Sequence, residues 1–127
     1  MKRLLILVLL LGLSACTSKP LLQPETTLPA NHQVSQSEMQ EAIITALKVR
    51  HWRVGRIAPG QIYAAISVRQ RHHASIIIDY TPREFTIHYR NSQGLEYQDG
   101  KIHRNYNRWV NNLRAEILQQ LNLPKTL

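Results

Sequence analysis

Three runs between residues 62 and 89 alternate apolar and polar side chains, and they constrain this 127-residue chain more than any other feature. Ile62, Ala64, Ile66 and Val68 alternate with Tyr63, Ala65, Ser67 and Arg69. Ala74, Ile76, Ile78 and Tyr80 alternate with His73, Ser75, Ile77 and Asp79, and Phe85, Ile87 and Tyr89 alternate with Thr86, His88 and Arg90. Successive side chains of a strand point to opposite faces, so period two describes a sheet with one face buried. The joins are too short for crossovers, so neighbouring strands are antiparallel. A two-residue turn at Pro82-Arg83 pairs Tyr80 with Phe85, Ile78 with Ile87 and Ile76 with Tyr89. A three-residue loop at 70–72 pairs Val68 with Ala74, Ile66 with Ile76 and Ala64 with Ile78. Both registers place the large apolar residues on one face. Trp52 and Val54 start a further short strand ahead of the turn Ala58-Pro59-Gly60. Its loop must have odd length to bring them to that face.

Helices flank the strands. Ser37, with Gln40 three residues on, reads as a weak capping box. Met39, Ala42, Ile43, Ala46 and Leu47 follow at helical spacing, and this helix ends near Arg50. A second helix spans about 105–122. Tyr106, Trp109, Val110, Leu113, Ile117 and Leu121 form its apolar stripe, and Pro124 forbids its continuation. Asn107 and Asn111 share another face, where they are either solvated or bonded to the sheet edge. The expected fold is α+β: helix, four-stranded antiparallel meander, helix, with both helices on one face of the sheet. It occupies residues 37–127. Residues 17–36 hold Pro20, Pro24 and Pro29 among polar residues and read as a flexible linker, able to reach about 60–70 Å.

The N-terminus reads as an address. Lys2 and Arg3 precede ten residues, 4–13, without a polar side chain, followed by Ser14, Ala15 and Cys16. That is the order of a secretory signal, 1–15. Ten helical residues span about 15 Å, half the roughly 30 Å of a bilayer core, so a permanent span is not expected. Leu13-Ser14-Ala15-Cys16 resembles the bacterial lipobox. The resemblance implies that Cys16 becomes a lipidated N-terminus and anchors the chain in a membrane. Thr17, where an Asp would favour retention in the inner membrane, implies the outer membrane of a Gram-negative cell, facing the periplasm. Cys16 is the only cysteine, which excludes an intrachain disulfide and a multi-cysteine zinc site.

The rest of the chain resembles small proteobacterial lipoproteins of unassigned function. The likeness rests on His51-Trp52, Pro59-Gly60-Gln61-Ile62, Arg71-His72-His73-Ala74, Asp79-Tyr80 and Thr86-Ile87-His88-Tyr89. It is strongest over Tyr106-Asn107-Arg108-Trp109-Val110-Asn111-Asn112-Leu113. This chain departs from the pattern at His51, where the family implies Gly. The resemblance implies fold and location, and no activity.

The formal charge of +8 suggests nucleic acid until position is considered. Export argues against a nucleic-acid partner. Over 42–78 there is no acidic residue, while Lys48, Arg50, Arg53, Arg56, Arg69 and Arg71 are basic. Guanidinium groups bind phosphate and carboxylate in bidentate fashion. Arg53, Arg56, Arg69 and Arg71 are therefore candidate contacts to lipopolysaccharide, peptidoglycan or anionic head groups. The solvent face of the sheet adds candidates in expected rows: Tyr63, Asp79 and Thr86; Ala65, Ile77 and His88; Ser67, Ser75 and Arg90; with Arg69 opposite His73. Ser75, His88 and Asp79 invite a triad reading, but a serine on an open strand lacks a desolvated oxyanion site. Six histidines show no metal-ligand spacing, and no cofactor motif occurs. The expected function is a non-enzymatic envelope lipoprotein: a lipid-anchored binding or scaffold module. An accessory subunit of an outer-membrane assembly complex, bound to envelope proteins, and a small periplasmic hydrolase are the alternatives.

Overall fold

The computed structural model describes residues 17–127; the expected signal segment and Cys16 lie outside them. The elements run β1 (Ser18–Pro20), β2 (Glu25–Thr27), α1 (Gln36–Val49), β3 (Arg53–Ala58), β4 (Gln61–Val68), β5 (His72–Tyr80), β6 (Glu84–Gln93), β7 (Lys101–His103) and α2 (Arg104–Gln120). The fold is α+β. Strands β3 to β6 form the expected antiparallel meander, but the sheet has five strands, ordered β2-β6-β5-β4-β3, and β1 and β7 form a separate two-stranded ladder. No helix among the described residues is long and apolar enough to cross a membrane.

The extended linker expected over 17–36 is thus corrected. Ser18 pairs with His103, and Thr26 pairs with Phe85. Leu28 is buried in the core. Arg83 secures the segment further, donating to the carbonyls of Leu28 at 2.8 Å and His32 at 3.0 Å. Three-residue strands carry too few side chains to show a period, so the prolines dominated the sequence signal. Pro20 ends β1 at the edge of its two-stranded ladder, and Pro24 and Pro29 lie outside the strands.

Helix α1 begins two residues earlier than the expected cap. Ser35 Oγ accepts from Glu38 N–H at 3.0 Å, and Glu38 Oε1 accepts from Ser35 N–H at 3.2 Å, a complete capping box. A carboxylate suits the positive end of the helix better than the Ser37–Gln40 pair would. Gln40 instead accepts from the Tyr80 hydroxyl at 2.8 Å. At the other end Trp52 N–H bonds to Leu47 O and His51 N–H to Lys48 O, a Schellman closure with His51 at φ 64°. A glycine would take that left-handed position without the Cβ strain that His51 carries. Helix α2 closes in the same way, with Asn122 at φ 59°.

The two helices cover one face of the sheet. Met39, Ile43, Ala46 and Leu47 of α1 and Tyr106, Val110, Leu113 and Ile117 of α2 are buried with Ile62, Ile76, Ile78, Phe85 and Ile87. Trp109, expected in that stripe, is only partly buried at its edge.

Two registers differ from expectation. The β5–β6 pairs Tyr80–Phe85, Ile78–Ile87 and Ile76–Tyr89 are as expected, until a bulge beyond Ile76 sets Ser75 opposite Asn91. The β4–β5 pairing is offset by two residues: Val68 pairs with His72, Ile66 with Ala74 and Ala64 with Ile76. The turn lies at Arg69–Arg71, one residue earlier than expected, with Arg69 and Gln70 at φ 54° and 56°. Turn positions with positive φ are normally Gly or Asn, so Arg-Gln carried no signal. An offset of two keeps every side chain on its face, which is why alternation could not detect it. Between β3 and β4 the connection is an even, two-residue turn, Ala58 pairing with Gln61. The parity change expected from an odd loop comes from a bulge between Val54 and Ile57.

Candidate functional site

The solvent face of the sheet carries most of the candidate residues, in corrected rows. Gln61, Asp79 and Thr86 form one row, and Tyr63, Ile77 and His88 the next. Arg53, Ala65 and Ser75 form a third, and Ser67 lies opposite His73. The expected neighbours Tyr63–Asp79, Ala65–Ile77, Ser67–Ser75 and Arg69–His73 are therefore each displaced by one row. All follow from the two-residue offset of β4.

The shift gathers two arginines over one tyrosine and a third beside them. The guanidinium carbon of Arg56 lies 5.7 Å from the Tyr63 ring centroid, and that of Arg90 lies 5.1 Å from it. Arg56 reaches this position from the β3 bulge. Gly55 precedes it, and a Cβ on Gly55 would meet Tyr63 O at 3.4 Å. Arg90 sits in the β6 bulge, unpaired between Tyr89 and Asn91. Arg53 stands beside them, paired with Ala65. Together with Ser75 they line a depression of about 380 Å³ that no carboxylate enters. Small side chains at Ala65 and Ser75 keep its floor low. These cation–π contacts with Tyr63 restrict the rotamers of Arg56 and Arg90, so less entropy is lost when each bonds an anion.

Beside this cluster Asp79 and His88 meet. His88 Nε2 lies 2.8 Å from Asp79 Oδ2, and Gln61 Nε2 donates to Asp79 Oδ1 at 2.7 Å. The Asp79 and His88 side chains are about half exposed, so the pair contributes only about 0–1 kcal/mol. Among the described residues no hydrogen bond joins Ser75 to His88; Ser75 belongs to the arginine depression. His73 Nδ1 is engaged with Ser67 Oγ at 2.7 Å. Gln61 was overlooked in sequence, where only the correct β4 register would place it opposite Asp79.

The run of basic residues over 42–78 does not form one surface. Arg50 Nε lies 3.5 Å from the buried Glu116 carboxylate. Arg53 and Arg56 face the depression, while Arg69 and Arg71 sit at the β4–β5 turn, at the end of the sheet. Among the described residues no group of three or more His, Cys, Asp or Glu is placed to hold a metal ion.

Asn107 of the second helix ties that helix to the N-terminal segment. Its Oδ1 accepts from Leu22 N–H at 3.1 Å and its Nδ2 donates to Pro20 O at 2.8 Å, which clamps the N-terminal segment to α2. One residue away Tyr106 is buried in the core, its hydroxyl without a partner among the described residues. Burial first, and the neighbouring Tyr89 second, push that hydroxyl well above the usual tyrosine range. Compared with family models and with curated proteins, the chain matches none.

Proposed function

We propose that the protein is a non-enzymatic envelope lipoprotein, anchored by lipid on Cys16 in the outer membrane, whose outer sheet face binds an anionic group of an envelope polymer. One observation carries the binding reading: Arg53, Arg56 and Arg90 line one depression that no carboxylate enters, with Arg56 and Arg90 over the Tyr63 ring. Three cations held together repel one another, and an oxyanion relieves that repulsion while accepting paired N–H bonds. The phosphates of lipopolysaccharide and the carboxylates of peptidoglycan have this chemistry. The open face suits a polymer passing across it rather than a small molecule enclosed within it.

A hydrolase is less well supported. Nucleophilic catalysis needs a serine within hydrogen-bond reach of its base and water excluded from the oxyanion site. The Asp79–His88 pair is half exposed on an open sheet. The small proteobacterial lipoproteins that the chain resembles agree with a location and assign no chemistry.

Binding of the full-length protein to purified lipopolysaccharide and to peptidoglycan tests the reading. Binding to one of them should weaken steeply as salt rises. It should fall at least tenfold in the triple variant Arg53→Glu, Arg56→Glu, Arg90→Glu. Unchanged binding by the folded triple variant overturns the reading.

A further inference from the structure

The described chain begins inside the fold, and the surface around its first residue has a consistent chemistry. Thr17 O accepts from Arg104 N–H at 2.8 Å, and Ser18 pairs with His103. The His103 ring lies 5.8 Å from that of His72, which in turn meets Trp109 at 6.4 Å. His72 Nδ1 is bonded to Gly94 O at 2.9 Å, and Gly94 packs against the Arg71 carbonyl. The β4–β5 turn and the start of α2 therefore share one end of the domain with Thr17. Arg69, Arg71, Arg104 and Arg108 are exposed there, with Glu96 and Asp99 the acids of the nearby 94–100 loop. Arg104 also opens α2, whose first turn holds no acidic residue. A cation at a helix N-terminus is disfavoured by the helix dipole unless an anion lies close by.

We propose that this end docks on the anionic head groups of the membrane that holds the Cys16 lipid. The inference rests on the lipid anchor of the proposed function. Cys16 is one peptide bond, about 3.8 Å between Cα atoms, from a residue hydrogen-bonded into the domain. The lipid therefore draws this face, rather than a free leash, to the surface. Arginines at the rim meet lipid phosphates, and the partly buried Trp109 suits the interfacial depth at which its ring is half wet. The strands then rise from the membrane. The nine residues of β5 lift the Pro82-Arg83 turn about 25–30 Å. The Arg53 row stands about 13 Å above Arg69 along β4, facing sideways above the head groups.

The test uses the full-length lipoprotein purified from membranes and placed in vesicles of phosphatidylethanolamine and phosphatidylglycerol. The mass of its N-terminal peptide reports lipid on Cys16. Lipidation occupies that thiol, so a cysteine introduced as Gln70→Cys at the docking end, or as Glu84→Cys at the far end, takes a fluorophore alone. With a quencher attached to lipid head groups, Gln70→Cys should be quenched at least threefold more than Glu84→Cys. The difference should shrink in phosphatidylcholine vesicles and in the added variant Arg69→Glu, Arg71→Glu, Arg104→Glu. A lipidated protein quenched equally at both sites overturns the docking and leaves the anchor standing. An unlipidated Cys16 overturns both.

Discussion

Replacing Asn107 with Ala should loosen the N-terminal segment from α2. The side chain makes two hydrogen bonds to the N-terminal segment, one as acceptor from Leu22 N–H and one as donor to Pro20 O. Each is a neutral bond at the surface, with a net contribution of about 1 kcal/mol. Their joint loss is about 2 kcal/mol, roughly a thirtyfold increase in local opening of β1 from β7. The core should be untouched, because Asn107 points away from the stripe formed by Tyr106 and Val110. Amide hydrogen exchange reads this directly. The informative probes are Leu21 N–H, bonded to Gly100 O, and Arg104 N–H, bonded to Thr17 O, since the substitution removes neither acceptor. Both should exchange roughly thirtyfold faster, while Ile76 and Ile78 keep their rates. Asn107→Asp retains an acceptor for Leu22 and loses the donor to Pro20, so it should fall between the two. Exchange at Leu21 and Arg104 within threefold of the parent, in a variant with a normal core, would refute the clamp.

Three further outcomes follow from backbone and burial. Gly94→Ala should destabilise the domain by more than about 4 kcal/mol, read as the urea midpoint. Its Cβ would lie 2.0 Å from Arg71 O, and φ is +75°. His51→Gly should raise stability by about 0.5–1 kcal/mol, because relief of left-handed strain at an exposed residue exceeds the added freedom of the unfolded chain. Tyr106→Phe should be stabilising by about 1 kcal/mol at neutral pH, since it removes a buried, unpartnered hydroxyl. It should also delay alkaline unfolding. The folded-state tyrosine holds its proton more tightly than the unfolded one, so the parent's stability does not change with pH through this group below about pH 10 and declines as pH rises beyond that. A parent and a Phe variant that lose stability identically between pH 9 and 12 would contradict this assignment.

Much of the candidate site was legible because strand alternation reports faces. Tyr63, Asp79, His88 and Arg90 were assigned to the solvent face from period two alone, and they lie on it. Which of them are neighbours was not legible. The β4 offset turns on Arg69 and Gln70 adopting left-handed conformations, which neither residue type advertises. The arginine cluster depends on two bulges, one presenting Arg56 and the other Arg90, and a bulge leaves almost no trace in a side-chain pattern.

By itself the sequence determined two helices, most of the buried stripe of each, four of the five strands of the main sheet and the β5–β6 hairpin near Pro82-Arg83. These are short-range properties, written in periodicity and turn chemistry. Only the tertiary structure decided that 17–28 belong to the domain, that the basic residues of 42–78 divide among separate places, and that Arg53, Arg56 and Arg90 line one depression beside Tyr63. Each of these depends on contacts between residues far apart in the chain, such as Asn107 with Pro20 and Thr26 with Phe85. Their partners become neighbours only once the sheet and helices have packed, so no local pattern records them.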